Sequence, residues 1–194
     1  MHDDSKTANR SDPQGDTALE VAPRPEPLNT VLLAERHLTA DFKSSRSERI
    51  SNFFSTEAKI WIPKNYCRAF VIQNPESPNH ILGFYTLSAA LIQKSNLINR
   101  DDRKAPRGIP VPMIRIGFMG RDDLAPQGLG VALIIDAARR IHRNPDIAAW
   151  GIVLESEGGR DNSSLYQWYK TLGFEGCKGN EFSLYAPLDS LRNE

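Results

Sequence analysis

Gly128 and Gly130 are the residues of this 194-residue chain whose type and place first suggest ligand chemistry. They bracket Leu129 and follow Gln127, between an apolar run at 113–120 that reads as a strand and a helical pattern over 128–143. First-turn N–H groups of a helix have no intrahelical acceptor, and the helix dipole adds partial positive charge there. Such a turn can hold a diphosphate through backbone donors, and glycine removes the Cβ that would keep phosphate oxygens off them. The pattern is not a P-loop, because no Lys-Ser/Thr follows. The dinucleotide fingerprint also fails, since Leu133 or Ile134 stands at its third glycine. Two glycines alone also fit an ordinary helix start.

A second constellation lies one strand and one turn later. Asn162, Trp168, Tyr169, Gly173 and Phe174 spell N-x5-W-Y-x3-G-F. The phenol of Tyr169, with an unperturbed pKa of about 10, stays protonated at neutral pH and can donate to a developing anion. On the residues alone, the better reading is a core aromatic on the helical face Leu165, Trp168, Tyr169, Leu172.

Together these segments resemble the GNAT acetyltransferases, whose acetyl-CoA motif is Q/R-x-x-G-x-G/A and whose next motif is similar to N-x-x-A-x-x-[LF]-Y-x-x-x-G-F. The likeness covers residues 115–174. Here Ala125 stands at the Gln/Arg position, Pro126 removes an amide, Leu165 replaces the small residue and Trp168 the Leu/Phe. The resemblance implies acetyl-CoA as co-substrate and no metal. It implies that Phe118, Met119 and Gly120 hold the acetyl and pantetheine groups. Gln127, Gly128, Leu129, Gly130 and Val131 would take the pyrophosphate, Asn162 the pantetheine arm, and Tyr169 the leaving sulfur as the catalytic donor. Acetyl transfer to an amine forms a tetrahedral adduct and expels a thiolate; strand N–H groups suit its oxyanion.

A narrower resemblance spans most of residues 40–188. It rests on Asp41-Phe42, on Cys67-Arg68-Ala69-Phe70-Val71-Ile72, on Gly83-Phe84-Tyr85-Thr86-Leu87, and on the Pro110-Val111-Pro112 connection. This order is similar to that of the GNAT toxins of type II toxin–antitoxin modules, which acetylate the α-amine on charged tRNA. That likeness implies a tRNA acceptor and a ribbon-helix-helix antitoxin, while a homodimer stays open. Candidate tRNA contacts are Lys43, Arg46 and Arg49, and the loop residues Arg103, Lys104 and Arg107 with Arg100. An α-amine titrates near pH 7.7–8.0, so it needs little help from a base, unlike a lysine amine near 10.4. His37, His80 and His142 belong to no motif, and Glu155 at a strand end could act through water, although a satisfied rim carboxylate is the better reading. Two other readings stay open: an acetyltransferase of a small amine or protein N-terminus, and a non-catalytic acyl-CoA-binding module.

The elements that must position these residues follow from periodicity. Residues 1–27 are poor in apolar side chains, hold four prolines, and carry six acids against three bases, which predicts a disordered acidic tail. The rest, 28–194, carries a modest +3 and reads as one domain. Ser47 predicts a helix cap, with Ile50, Phe53, Phe54, Ala58 and Trp61 at helical spacing and Pro63 as the stop. Strands are expected over 66–73, 81–90, 113–120, 149–155 and 182–186. Helices are expected over 128–143, with the stripe Val131, Ile134, Ile135, Ala138 and Ile141, and over 163–172. This order predicts an α/β (α+β) sandwich with a mixed sheet covered by helices; the resemblance implies that it is the GNAT fold, with a mixed, mostly antiparallel central sheet flanked by helices. Cys67 and Cys177 are expected to be reduced and half-buried. With no apolar run of about 18 residues and no secretory h-region, the expected place is the cytoplasm, without membrane contact.

Overall fold

The computed structural model describes residues 28–99, 108–144 and 146–191. The predicted tail, 1–27, and the loop cations Arg100, Arg103, Lys104 and Arg107 lie outside them. Seven strands form one sheet: β1 (Val31–Leu32), β2 (Arg68–Asn74), β3 (Ser77–Ile92), β4 (Val111–Arg121), β5 (Gly151–Glu155), β6 (Glu175–Gly176) and β7 (Ser183–Pro187). Their spatial order is β1-β2-β3-β4-β5-β7-β6, and only β4–β5 is parallel. The parallel pair is joined by α2 (Leu129–His142), as a parallel connection requires a crossover. The expected mixed, mostly antiparallel sheet is thus present.

Helices cover both faces. On one lies α1, which starts at Glu48, widens into a π-turn at Phe53–Glu57 and ends at Trp61. Ser47 caps it as predicted, its hydroxyl accepting the Ile50 N–H. The π-turn accompanies the burial of adjacent Phe53 and Phe54 against Phe42 and Phe84. On the other face, α2 and α3 (Ser163–Thr171) cover a core containing Leu133, Ile134, Ile152, Phe174 and Leu184.

Four expectations need correction. The edge pairs β1 and β6 were not predicted, being two-residue strands too short to show alternation. Strand β3 begins at Ser77 rather than 81, because a tight turn lets the hairpin close at Asn74↔Ser77. The buried face of α2 is Leu129, Leu133, Ile134, Ala137 and Ala138, turned from the predicted stripe; Val131, Ile135 and Ile141 are only half-buried. Both cysteines are free and buried rather than half-buried. No helix among the described residues is long and apolar enough to cross a membrane.

Candidate functional site

The site begins where β4 leaves β5. The two strands pair from Met113↔Gly151 to Ile116↔Leu154 and then part. Against β3, Tyr85 faces Met119 while Leu87 faces Ile116, so Gly117 and Phe118 share the single partner Thr86. This is a β-bulge, and it bends the strand. The edge of β4 turned towards β5 has no strand partner beyond the splay, so alternate backbone groups there are open.

A cavity of about 790 Å³ fills the splay. Phe118, Met119 and Gly120 form one wall, and Gln127, Gly128, Gly130 and Val131 form the end at α2. Gly128 is the N-cap, with φ of 83°, a left-handed conformation that favours glycine. No side chain caps this helix. The N–H groups of Val131 and Ala132 turn back to the Gly128 carbonyl, which leaves the first-turn donors before them for a ligand. Leu129, by contrast, is a core residue at 6 % exposure and contributes no side chain to the wall.

Ala125, at the position where the family pattern carries Gln or Arg, is buried in the core. Its N–H bonds the Asp122 carbonyl, and its own carbonyl accepts from Arg121 Nη1 at 3.2 Å. Arg121 itself lines the cavity beside the glycine turn. The sequence reading missed this arginine, because the motif directs attention to position 125 rather than to the strand end four residues earlier.

The third wall is α3. Asn162 lines the cavity and stands at the N-cap position, donating through Nδ2 to the Glu157 carbonyl and accepting from Ser164 Oγ. Tyr169 lies one cavity wall along, its ring packed edge-on to Phe174. Burial, and secondly the charge of Glu157, push its phenol up to about 12. It therefore keeps its proton throughout the neutral range. Ser156, which also lines this cavity, has a buried hydroxyl without a hydrogen-bond partner.

A second cavity, of about 540 Å³, opens from the same splay. The two share Arg49, Ile116, Gly117, Phe118 and Glu155, so they meet at the bulge. Trp61, Tyr66, Cys67, Thr86, Ser88 and Arg115 complete the second. Of the predicted nucleic-acid contacts, Arg46 lines the first cavity and Arg49 both, whereas Lys43 lies in neither wall. Among the described residues no histidine lines either cavity. His37 is buried, accepts the Ala34 N–H, and is held below its ordinary range by burial and by Arg36. Among the described residues no group of three or more His, Cys, Asp or Glu side chains could hold a metal ion.

No family model matches the sequence, and no curated protein matches it. Solved structures do. AtaT complexed with acetyl-methionyl-tRNAfMet is 22 % identical over 84 % of this chain and 95 % of that one, with a TM-score of 0.73. A tyrosine-to-phenylalanine mutant of KacT is 19 % identical over 86 % and 98 %, at 0.74. AtaTR bound with acetyl-CoA is 22 % identical over 86 % and 97 %, at 0.69. Strand order, the splay at β4 and β5 and these superpositions agree: the chain has the GNAT fold, in the form found in the toxins AtaT and KacT.

Proposed function

We propose that this protein is an acetyl-CoA-dependent N-acetyltransferase whose acceptor is the α-amine of the aminoacyl group on charged tRNA, and that it acts as a translation-inhibiting toxin. The observation that carries this reading is the pair of cavities meeting at Phe118, one ending in an uncapped helix N-terminus, the other lined by arginines and aromatic rings. A two-substrate transfer needs such an arrangement: donor and acceptor enter from opposite sides and meet at one bond-forming point.

The residues of the first cavity fit acetyl-CoA. The free amides at Gly128–Gly130 and the Arg121 guanidinium suit its diphosphate, Gln127 offers a further donor, and Asn162 suits an amide of the pantetheine arm. Bound there, acetyl-CoA supplies an activated acyl group on sulfur. Open N–H groups of β4 around Met119 stabilise negative charge that grows on the acyl oxygen. The acceptor nitrogen bonds to the acyl carbon as the carbon–sulfur bond breaks. Tyr169 donates a hydrogen bond to the departing sulfur; the proton that the product nitrogen loses balances the one the thiolate gains. With its pKa near 12, Tyr169 stabilises this anion without giving up its proton for long.

With no histidine among the described residues of either cavity wall, the site suits an amine that is already partly neutral at pH 7, as an α-amine is and a lysine is not. Glu155, exposed where the cavities join, can take the proton through water. Lys43, Arg46 and Arg49, with Arg103, Lys104 and Arg107, are the candidates for phosphate contacts. AtaT is also known bound to the C-terminus of the antitoxin AtaR with acetyl-CoA. A ribbon-helix-helix antitoxin, a homodimer and a cytoplasmic location belong to the same proposal.

The test supplies labelled acetyl-CoA with charged tRNA, uncharged tRNA, a polyamine and a peptide with a free N-terminus. Label should enter charged tRNA alone and leave with the amino acid when the ester is hydrolysed. Preferential labelling of the polyamine or peptide would overturn the tRNA reading, and labelling of none would make the protein a non-catalytic acyl-CoA binder.

A further inference from the structure

We propose that Trp61 and Tyr66 form a stacking platform for the unpaired base at the 3′ end of the nucleic acid that carries the acceptor amine; this rests on the tRNA reading above. The two rings are 37 % and 65 % exposed, yet they are held in fixed relation. The chain leaving α1 forms a Schellman-type stop: Tyr66 N–H bonds the Trp61 carbonyl at 3.1 Å, and Asn65 N–H bonds the Ile62 carbonyl at 3.0 Å. Asn65 takes the left-handed φ of 61°, the sole positive value outside glycine among the described residues. Asparagine tolerates that conformation better than most residues. This stop sets Tyr66 edge-on to Trp61, with ring centroids 6.2 Å apart.

Trp61 is braced in turn. It meets Phe53 and Phe118 edge-on at 5.6 and 5.7 Å, and Phe53 stacks flat on Phe118. The platform is therefore tied to the very residue at which the two cavities meet. A pre-set, solvent-accessible pair of rings loses little rotamer freedom when a flat ligand settles on it.

Charge selects the class of ligand. Arg49 and Arg115 line the same cavity, the first with its guanidinium 5.6 Å from the Phe118 ring centroid, and neither takes part in an ion pair among the described residues. Aromatic faces beside unpaired arginines are the means by which proteins hold single-stranded nucleic acid: bases stack and phosphates meet cations. Glu155, the single carboxylate of this wall among the described residues, lies at the junction, where an amine arrives. An ester-linked amino acid is short, so an amine delivered to Phe118 brings its terminal nucleoside into this cavity.

Binding of two oligonucleotides to the full chain loaded with CoA tests this without any transfer step. One is the trinucleotide CCA; the other has the same backbone with its terminal adenine removed. The intact trinucleotide should bind at least about five-fold more tightly, the size expected of one stacked base. Tyr66→Ala should erase that advantage and Tyr66→Trp should keep it, with CoA affinity unchanged in both. Equal binding of the two ligands to the unaltered protein, or an advantage that survives in both Tyr66→Ala and Trp61→Ala, overturns the platform. A platform that passes this test while charged tRNA goes unacetylated would contradict the proposed function instead.

Discussion

The hydroxyl of Thr86 accepts the N–H of Phe118 at 2.8 Å and lies 3.4 Å from the carbonyl oxygen of the same residue. One side chain on β3 thus serves the backbone of the bulge that bends β4 away from β5. Thr86 is 1 % exposed. Thr86→Val keeps the shape and leaves the Phe118 N–H without its partner. The expected cost is about 1–3 kcal/mol. Thermal denaturation should show a lower Tm, with slower transfer, while Thr86→Ser restores both.

The glycines of the site have separable duties. Gly128 has open space around a would-be Cβ but a φ of 83°, so Gly128→Ala should cost about 1–2 kcal/mol through backbone strain. Gly130 has an ordinary φ, and a Cβ there would sit 3.5 Å from the Trp168 ring. Gly130→Ala should leave the Tm unchanged or slightly higher, since alanine favours helix, and yet weaken acetyl-CoA binding by crowding the phosphate. Calorimetric titration beside thermal melting separates the two; equal loss of stability in both variants would contradict this division.

The same glycines show what the sequence could disclose. Gly128, Gly130, Asn162 and Tyr169 stand out in the sequence through the resemblance of two motifs, since on the residues alone the glycines also fit an ordinary helix start and Tyr169 a core aromatic; all four line one cavity. Arg121 was not, because its place beside the turn depends on how a bulged strand ends. The second cavity was hidden for a similar reason: Trp61 and Tyr66 meet through a helix stop, Arg115 arrives from a strand distant in sequence, and no spacing links them. Edge strands two residues long carry no periodicity to read. The stripe of α2 was misjudged because Val131 faces the cavity rather than the sheet, an allocation that composition does not distinguish.

Arg121 should matter for the co-substrate. It donates to the Ala125 carbonyl and lines the cavity where the family pattern's own polar residue is replaced. Losing a charge-assisted hydrogen bond of about 1.5–3 kcal/mol predicts a ten-fold or greater rise in Kd for acetyl-CoA in Arg121→Ala. Isothermal titration at two salt concentrations checks this. An unchanged Kd would assign the residue to the turn alone.

Alkaline stability should fall in a defined window. Burial pushes the Cys177 thiol up from 9.0 to about 11, so the folded state prefers its neutral form. The associated stability is complete below pH 9 and is lost as the pH rises towards 11, on the order of 2–3 kcal/mol. Urea denaturation from pH 8 to 10 should show this decline in the unaltered chain and a shallower one in Cys177→Ala. Parallel slopes would show that the thiol is not the group responsible.

The central claim is that Tyr169 assists departure of the sulfur without binding the co-substrate for its own sake. Single-turnover acetyl transfer by the unaltered protein and by Tyr169→Phe, followed from pH 6 to 10, tests it most directly. The variant should be slower by about 100-fold or more, a general-acid-sized effect, with Kd for acetyl-CoA unchanged. The unaltered rate should rise through the acceptor amine's pKa and show no descending limb, because the phenol is held protonated to about 12. An undiminished rate in Tyr169→Phe, or a descending limb near pH 9 that the substitution abolishes, would contradict the account.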